Sequence, residues 1–457
     1  MKKKISKRTV CIIIIYLVAL VIFNIHIEQY QKYIQEFPDE LSHVAYIAYL
    51  KQTGKIIPRF EDMKETEKYK IHLKEYKMLM REENKPNLDD LSHIETNFFE
   101  DSTNHLGHPP LYYHIMNIFN LVKVKDEIIT YNLKALRNIS QVISNIALII
   151  VFALAFKNLK SIKANFAFSI ILVNIPLLPY VSGAVSNDVL SLLGLSIFIC
   201  GLSNIVKEKR DYLTYFLLSI GTFICMLNKI TTGVFIVVAL LIVVIYLIIK
   251  EKNLKFIICK EFAITIPIYL CIALYYLTVI KRYGTIYPGI PVINPEYYKK
   301  TSFYNDTIYK PAYTLKMYSK MYWNNFVNYW AGYNYGELFP KHSLIKSLVS
   351  LSMFILPIIY LVVEKIRKSK IDIANLSVCI GVYIAIIIQF FRQFIEFKTV
   401  SGYLGGYHSR YYLCAMPSFV YLLCRIIDKE SNNSIIRVLI IFGTIVYAGA
   451  MQLMLYM

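Results

Sequence analysis

TTGVFIVVALLIVVIYLII, residues 231–249, is an unbroken apolar run that decides the fold class of this chain. A helix needs about 20 apolar residues to cross the hydrocarbon core of a bilayer, and this run has that length without a charge. CIIIIYLVALVIF (11–23) and VLIIFGTIVYAGAMQLMLYM (438–457) have the same character. The chain is 56% hydrophobic over 457 residues, with a mean hydropathy of +0.45. The sequence therefore predicts an all-α polytopic membrane protein.

Apolar runs of spanning length recur along the chain and predict about eleven transmembrane helices. Their predicted bounds are 9–27, 139–156, 164–182, 188–206, 212–228, 231–249, 256–280, 344–363, 373–391, 411–427 and 435–456. Two longer segments, 28–138 and 281–343, predict larger loops. Within the first, 61–85 mixes both charge signs and predicts a surface helix, and Pro109-Pro110 predicts the start of an interfacial helix. We treat 1–457 as a single membrane domain.

Basic residues set the predicted orientation in the membrane. They cluster at every second connection, at 1–8, 157–163, 207–210, 250–255 and 364–370. Cytoplasmic connections carry the excess of Lys and Arg, so the N-terminus is predicted to be cytoplasmic and both long loops extracytoplasmic. The net charge of +19 then reflects topology and contact with anionic lipids, not nucleic-acid binding. We expect a multi-pass protein of the plasma membrane, with its first span retained as a signal anchor.

The eight cysteines lie in or at the edge of predicted spans, and the sequence has no CxxC pair. This placement argues against a disulfide framework and against a cysteine metal site. The sequence also contains no Walker A and no GxGxxG motif, so nothing indicates nucleotide binding.

FPDELSH (37–43) places two adjacent carboxylates and a histidine directly after the first span. Pro38 suits the first turn of a helix, and His43 follows Asp39 by four residues and Glu40 by three. The three polar side chains therefore share one predicted helix face. A carboxylate at that position can take a proton from a hydroxyl or amine near the lipid headgroups. The structural alternative is that acidic residues complement the dipole at the helix start.

PDELSHVAYIAYLKQTGKIIPR (38–59) resembles the first outer loop of the GT-C superfamily of membrane glycosyltransferases, where an Asp-Glu pair follows the first transmembrane helix. Four further segments are similar to segments of the same proteins, in the same order: HPPLYYHI (108–115), SNDVLSLLGLSIFI (186–199), LNKITTGVF (227–235) and HSRYYLCAMPSF (408–419). That superfamily includes protein O-mannosyltransferases, the aminoarabinose transferases of lipid A and bacterial relatives of unknown function. The chain departs from them by having His-Ser in place of Gln-Gly before Arg410, and one Asn fewer at 186–188.

The resemblance implies a GT-C-like bundle that transfers a sugar from a polyprenyl-phosphate-linked donor to a glycan, lipid or protein acceptor outside the membrane. Asp39 is the candidate base, with Glu40 and His43 orienting it or the acceptor. Arg410 is the candidate ligand of the donor phosphate because a guanidinium makes bidentate contacts with phosphate oxygens. Lys229 is the second phosphate candidate. For both cations, the structural alternative is a side chain that snorkels to the interface.

Three further residues are assigned to substrate binding: His108, Asp188 and Trp323. Asp188 also suits a helix cap, and Trp323 lies in the aromatic segment 321–336, which is typical of a membrane-interface belt. His105 and His108, with the polar side chains of FPDELSH, are an alternative ligand set for a divalent cation such as zinc or manganese. No other cofactor is predicted.

The alternative functions are a flippase or transporter of lipid-linked sugars and a non-catalytic polysaccharide-assembly protein. Transporters place ionisable groups near mid-membrane and often have repeated halves. Here the predicted spans are almost free of charge, apart from Lys260 and Glu261 near a cytoplasmic end, and polar residues concentrate at the outer surface. That distribution favours the transferase.

Overall fold

The computed structural model describes residues 6–33, 37, 39–63, 90–97, 104–126, 128–299, 314–330, 344–401, 405–430 and 434–453. Its helices are α1 (Lys7–Tyr33), α2 (Glu40–Thr53), α3 (Leu111–Ile118), α4 (Leu133–Asn158), α5 (Ile162–Val173), α6 (Leu177–Ser182), α7 (Asp188–Val206), α8 (Tyr212–Met226), α9 (Ile230–Glu251), α10 (Lys260–Ala263), α11 (Ile266–Tyr283), α12 (Ile290–Ile293), α13 (Pro295–Tyr298), α14 (Leu315–Trp330), α15 (Leu344–Ile366), α16 (Ile373–Glu396), α17 (Met416–Asp428) and α18 (Ser434–Leu453). Its strands are β1 (Ile94–Asn97), β2 (Val122–Lys125) and β3 (Ile128–Tyr131).

Nine helices in the described part of the chain are long and apolar enough to cross a membrane, which confirms the all-α polytopic class. They match nine of the eleven predicted spans. The predicted span 164–182 is instead divided into α5 and α6, because Pro176 has no N–H with which to continue the helix. The predicted span 212–228 forms α8, of 15 residues. At 1.5 Å per residue, α8 is about 22 Å long, which is shorter than the hydrocarbon core.

Helices α7 and α8 cross at glycines. A Cβ at Gly201 would lie 2.6 Å from the backbone nitrogen of Leu218, and one at Gly221 would lie 2.5 Å from the backbone nitrogen of Phe198. In a membrane the hydrophobic effect does not drive helices together, so their association depends on close van der Waals packing. Small residues at a crossing allow the two backbones to approach closely enough for that packing. The contact fixes α7, whose first residue is Asp188.

The described part of the first long loop folds into a small assembly that packs against one end of the bundle. The rings of Tyr46 in α2 and Tyr113 in α3 stack at 3.8 Å, and β1, β3 and β2 form an antiparallel sheet beside α2. Helix α3 begins directly after Pro110, so a helix does start at the Pro-Pro. Of the predicted surface helix 61–85, only 61–63 are described, and Phe60–Asp62 form a 3-10 turn there. The sequence analysis missed the sheet, because four-residue strands carry too few positions to show an alternation.

The two ends of the bundle carry different chemistry. At one end, which we call the basic end, ion pairs join neighbouring connections: Arg210–Glu251, Lys250–Glu208, Arg367–Glu430 and Lys429–Glu364. At the other, the site end, α2, α4, α7 and α9 begin close together. Helices α7 and α9 contact a 3-10 turn, Ser409–Ala415, that leads into α17. Every residue of the candidate site lies at the site end.

Candidate functional site

Asp39 lies at the turn where the chain enters α2. Its backbone has a φ of 60° in the left-handed region, and its side chain makes no capping hydrogen bond. Its carbonyl oxygen accepts the first helical hydrogen bond, from the N–H of His43 at 3.0 Å. Aspartate tolerates this conformation better than most residues, but it remains unusual outside glycine. The predicted helix start is therefore present, with Asp39 at the cap position, and Pro38 lies outside the described residues.

Glu40 turns away from Asp39 into a sealed ion pair with Arg137 of α4. The guanidinium donates from Nε to Oε1 at 2.9 Å and from Nη2 to Oε2 at 2.6 Å, and both side chains are 1% exposed. The backbone N–H of Val185 donates to Oε1 at 2.9 Å, and the Phe37 ring lies 4.7 Å from Arg137 Cζ. Glu40 therefore ties the start of α2 to α4 and to the turn before α7. Of the three polar residues predicted to share one helix face, Glu40 is the one whose carboxylate is fully buried, and Arg137 supplies the cation that a buried carboxylate needs.

Asp39 is paired with Arg410, a residue of the Ser409–Ala415 turn. The Asp39 side chain is 28% exposed and that of Arg410 is 10% exposed, so this carboxylate can be reached from outside. Gly406 precedes the turn with a φ of 71°, and a Cβ there would collide with the side chain of Gln393. Only glycine satisfies both conditions, which accounts for the glycine before Arg410.

Three imidazoles line up beside Asp39. The ring of His105 lies 4.9 Å from that of His43 and 5.2 Å from that of His108. Nε2 of His105 is 3.9 Å from Oδ2 of Asp39. His43 Nδ1 and the Tyr113 hydroxyl are hydrogen-bonded at 2.9 Å. The structure thus places His43 and His108 on either side of His105, which lies beside Asp39. The catalytic role of His43 and the substrate-binding role of His108 stay predictions.

The charges of the cluster set its proton affinities. Burial alone would raise the pKa of Asp39, but Arg410, and then His105, outweigh burial and hold that pKa well below its usual range. Burial and the neighbouring cations lower the pKa of His105 to about 4, and burial lowers the pKa of His408 to about 3. At neutral pH Asp39 is therefore a carboxylate among neutral imidazoles.

Lys229 and Asp188 form a second buried ion pair, with side chains 5% and 7% exposed. Asp188 also accepts a hydrogen bond from Ser186 Oγ at 3.3 Å, and Asn228 beside Lys229 donates to Ser191 Oγ at 2.7 Å. Lys229 is thus buried and paired, unlike a lysine that snorkels to the interface. Asp188 begins α7 and also neutralises a buried cation, so it is more than a helix cap.

Tyr411 links the two ion pairs. Its ring centroid lies 4.6 Å from Lys229 Nζ and 5.7 Å from Arg410 Cζ. A ring face next to a cation contributes about 0.5–2 kcal/mol, depending on desolvation. Sequence reasoning missed Tyr411 because tyrosines near helix ends are common in membrane proteins. It also missed Arg137, although an arginine near a predicted span does signal that a buried partner is needed.

Trp323 does not lie in this cluster. Its ring packs against Phe326 of the same helix at 5.9 Å, and it is 42% exposed. Two other residues of α14 reach the segment around Arg410: the Tyr322 hydroxyl donates to the carbonyl oxygen of Gly406 at 3.1 Å, and the Phe326 ring lies 6.2 Å from that of Tyr412. Among the described residues, the substrate-binding role predicted for Trp323 has no contact to support it, whereas α14 itself borders the site.

Among the described residues, no three His, Cys, Asp or Glu side chains are arranged to hold a metal ion. Of the five residues that form the alternative ligand set for a divalent cation, Glu40 is bound to Arg137 and to the backbone N–H of Val185. The chemistry of the site is thus that of one accessible carboxylate, two buried cations and a row of neutral imidazoles.

Comparison of the chain with protein-family models, curated proteins and solved structures gives no match. Its function is therefore inferred from the site.

Proposed function

We propose that this protein is a GT-C-type membrane glycosyltransferase. It moves a sugar from a polyprenyl-phosphate-linked donor to an acceptor glycan, lipid or protein at the extracytoplasmic face. The observation that carries the proposal is the contact between Asp39, an accessible carboxylate, and Arg410, a largely buried guanidinium, at one end of a bundle of membrane-spanning helices. Transfer from a phosphate donor needs a base for the acceptor and a cation for the leaving group, and this contact holds one of each.

The proposed reaction is a direct displacement. Asp39 takes the proton of the acceptor hydroxyl while that oxygen forms a bond to the anomeric carbon of the sugar. The bond from the anomeric carbon to the phosphate oxygen breaks, and its electron pair stays on the phosphate. Arg410, with Lys229 behind it, stabilises the charge that the phosphate gains. Glu40 and Arg137 act only by holding the start of α2, and therefore Asp39, in place.

The placement of charge supports a transferase over a transporter. Asp188, Lys229 and Arg410 lie at or near the starts of α7, α9 and α17, beside the Asp39 segment. Transporters instead gather their ionisable groups near mid-membrane. Ion pairs at the basic end close connections between helices, which suits a scaffold.

The direct test is sugar transfer by the purified full-length protein in liposomes, with a farnesyl-phosphate hexose as donor and a cell-envelope extract as the source of acceptor. Arg410→Ala should lower the rate by roughly one to three decades, at about 1.4 kcal/mol per decade. Arg410→Lys should recover only part, because lysine keeps the charge but loses the planar fork. Asp39→Asn should abolish transfer.

Glu296→Gln is the matched control, because Glu296 is an exposed acidic residue outside the site. It should transfer at the wild-type rate. A wild-type protein that moves the donor between leaflets but never transfers sugar would favour the flippase. Wild-type transfer by both Arg410→Ala and Asp39→Asn would remove these residues from the reaction.

A further inference from the structure

The two cations of the site are each paired with a carboxylate. The two ion pairs differ in their burial and in the further contacts that hold them together. Arg410 is paired with Asp39, and Lys229 with Asp188, so the four charges cancel. In the described part of the chain, a phosphate anion that enters between these pairs meets cations whose charge is already balanced. Because charges cannot be left uncompensated in a buried site, one carboxylate must leave its cation when the anion arrives.

Burial and additional contacts keep the Asp188–Lys229 ion pair intact. Both side chains are almost fully buried, and Ser186 Oγ donates a further hydrogen bond to the Asp188 carboxylate. The Tyr411 ring covers Lys229 at 4.6 Å. Asp188 is also the first residue of α7, where the helix dipole favours its charge. Neither partner can move without disturbing a transmembrane helix.

The Asp39–Arg410 ion pair can separate more easily. Asp39 is 28% exposed, four times as much as the 7% of Asp188, so its carboxylate can be solvated when released. It sits before α2 on a backbone with a φ of 60°, a conformation that costs a non-glycine residue energy and that a rearranged turn relieves. It makes no capping hydrogen bond that would hold it.

We propose that Arg410 exchanges Asp39 for the phosphate of a prenyl phosphate ester, so that binding of the phosphate releases the Asp39 carboxylate. The inference rests on the proposed function, since it takes the phosphate of a lipid-linked donor as the ligand. Lys229 and Asp188 remain paired, so the Lys229 ammonium stays fixed in position behind Arg410. The exchange moves one guanidinium from a carboxylate to a phosphate, so the number of charge-assisted contacts at Arg410 is conserved.

The exchange couples donor binding to base strength. While Arg410 contacts Asp39, it keeps the pKa of that carboxylate low and makes it a weak base. After exchange, the guanidinium no longer lowers the pKa of Asp39, so the affinity of that carboxylate for a proton rises. Asp39 then accepts the acceptor proton only when a donor phosphate is in place. In an empty site Asp39 is therefore a weak base.

Binding measurements on the full-length protein in detergent test this directly, with farnesyl phosphate and inorganic phosphate as probes and farnesol as the uncharged comparison. Asp39→Asn removes the competing carboxylate, so it should bind farnesyl phosphate about tenfold more tightly than wild type, equivalent to about 1.4 kcal/mol. Arg410→Ala should bind it at least tenfold more weakly. Glu296→Gln, on an exposed pair, should match wild type. A gain for both phosphates means that the phosphate group alone drives the exchange, and a gain for farnesyl phosphate alone means that the lipid is also required.

Unchanged or weaker binding of both phosphates by Asp39→Asn would overturn the exchange, provided that the variant elutes as wild type and keeps its thermal unfolding transition. Asp39→Ser serves as a second neutral variant and should show the same gain. Farnesol binding should not change in either variant. Because binding is measured without turnover, the result separates the two proposals. Tighter binding with no transfer by the wild type would sink the glycosyltransferase alone, whereas wild-type transfer without tighter binding would sink the exchange alone.

Discussion

The ion pair between Glu40 and Arg137 makes the sharpest prediction about stability. Both side chains are 1% exposed, and the guanidinium meets the carboxylate through two hydrogen bonds of 2.9 and 2.6 Å. Glu40→Gln keeps the size of the side chain but leaves the Arg137 charge without a counter-charge. Breaking one partner of a buried pair costs about 3–5 kcal/mol, because the remaining charge is uncompensated. We expect Glu40→Gln and Arg137→Met each to lower the free energy of unfolding by that amount.

The double variant Glu40→Gln/Arg137→Met should be far less destabilised than the sum of the single variants. It removes both charges, and replacing a whole buried pair by uncharged side chains is often close to neutral. Unfolding in mixed micelles of mild detergent and dodecyl sulfate, followed by circular dichroism, gives the coupling energy from the four proteins. The coupling should be about 3 kcal/mol.

The matched control is the exposed pair between Lys299 and Glu296, whose side chains are 48% and 80% exposed. The same cycle there should give a coupling below about 1 kcal/mol, because water screens both charges. A Glu40–Arg137 coupling no larger than that of the control would refute the claim that this pair holds the start of α2 in place.

Three further results are expected. The pKa of His105 is lowered from 6.5 to about 4, chiefly by burial, so the unfolded chain binds that proton first as the pH falls. The part of the free energy of unfolding that depends on His105 is therefore largest above pH 6.5, and it falls by about 3 kcal/mol as the pH decreases toward 4. His105→Asn should flatten this part of the stability profile, and equal slopes in both proteins would contradict the assignment. Gly201→Val should cost several kcal/mol, about 3 or more, because its Cβ meets the Leu218 backbone. Exposed Gly443→Val, with open space around it, is the control for thermal unfolding. In a cysteine-free background, an impermeant maleimide added to intact cells should label Ile56→Cys but not Lys252→Cys, and the reverse would invert the proposed orientation.

Local properties of the sequence accounted for most of the architecture. Hydropathy predicted nine spans that the structure contains as long helices. It could do so because about 20 consecutive residues determine the length and apolarity of a spanning helix. The division at Pro176 was not predicted, because the apolar run on both sides of the proline concealed the break. The four-residue strands of the sheet had no such local signal.

The sequence also nominated Asp39, His43, Lys229 and Arg410, since each is a polar residue of the right chemistry beside an apolar run. It could not assign their partners. Asp39 and Arg410 are 371 residues apart in the chain, and Glu40 and Arg137 are 97 apart. Which carboxylate is sealed and which is accessible depends on the direction in which the chain leaves α1 and on where α4 and the Ser409–Ala415 turn meet it. Only tertiary structure decides this, because the energy of an ion pair depends on distance and burial, and neither is encoded in the residues on either side of a charge.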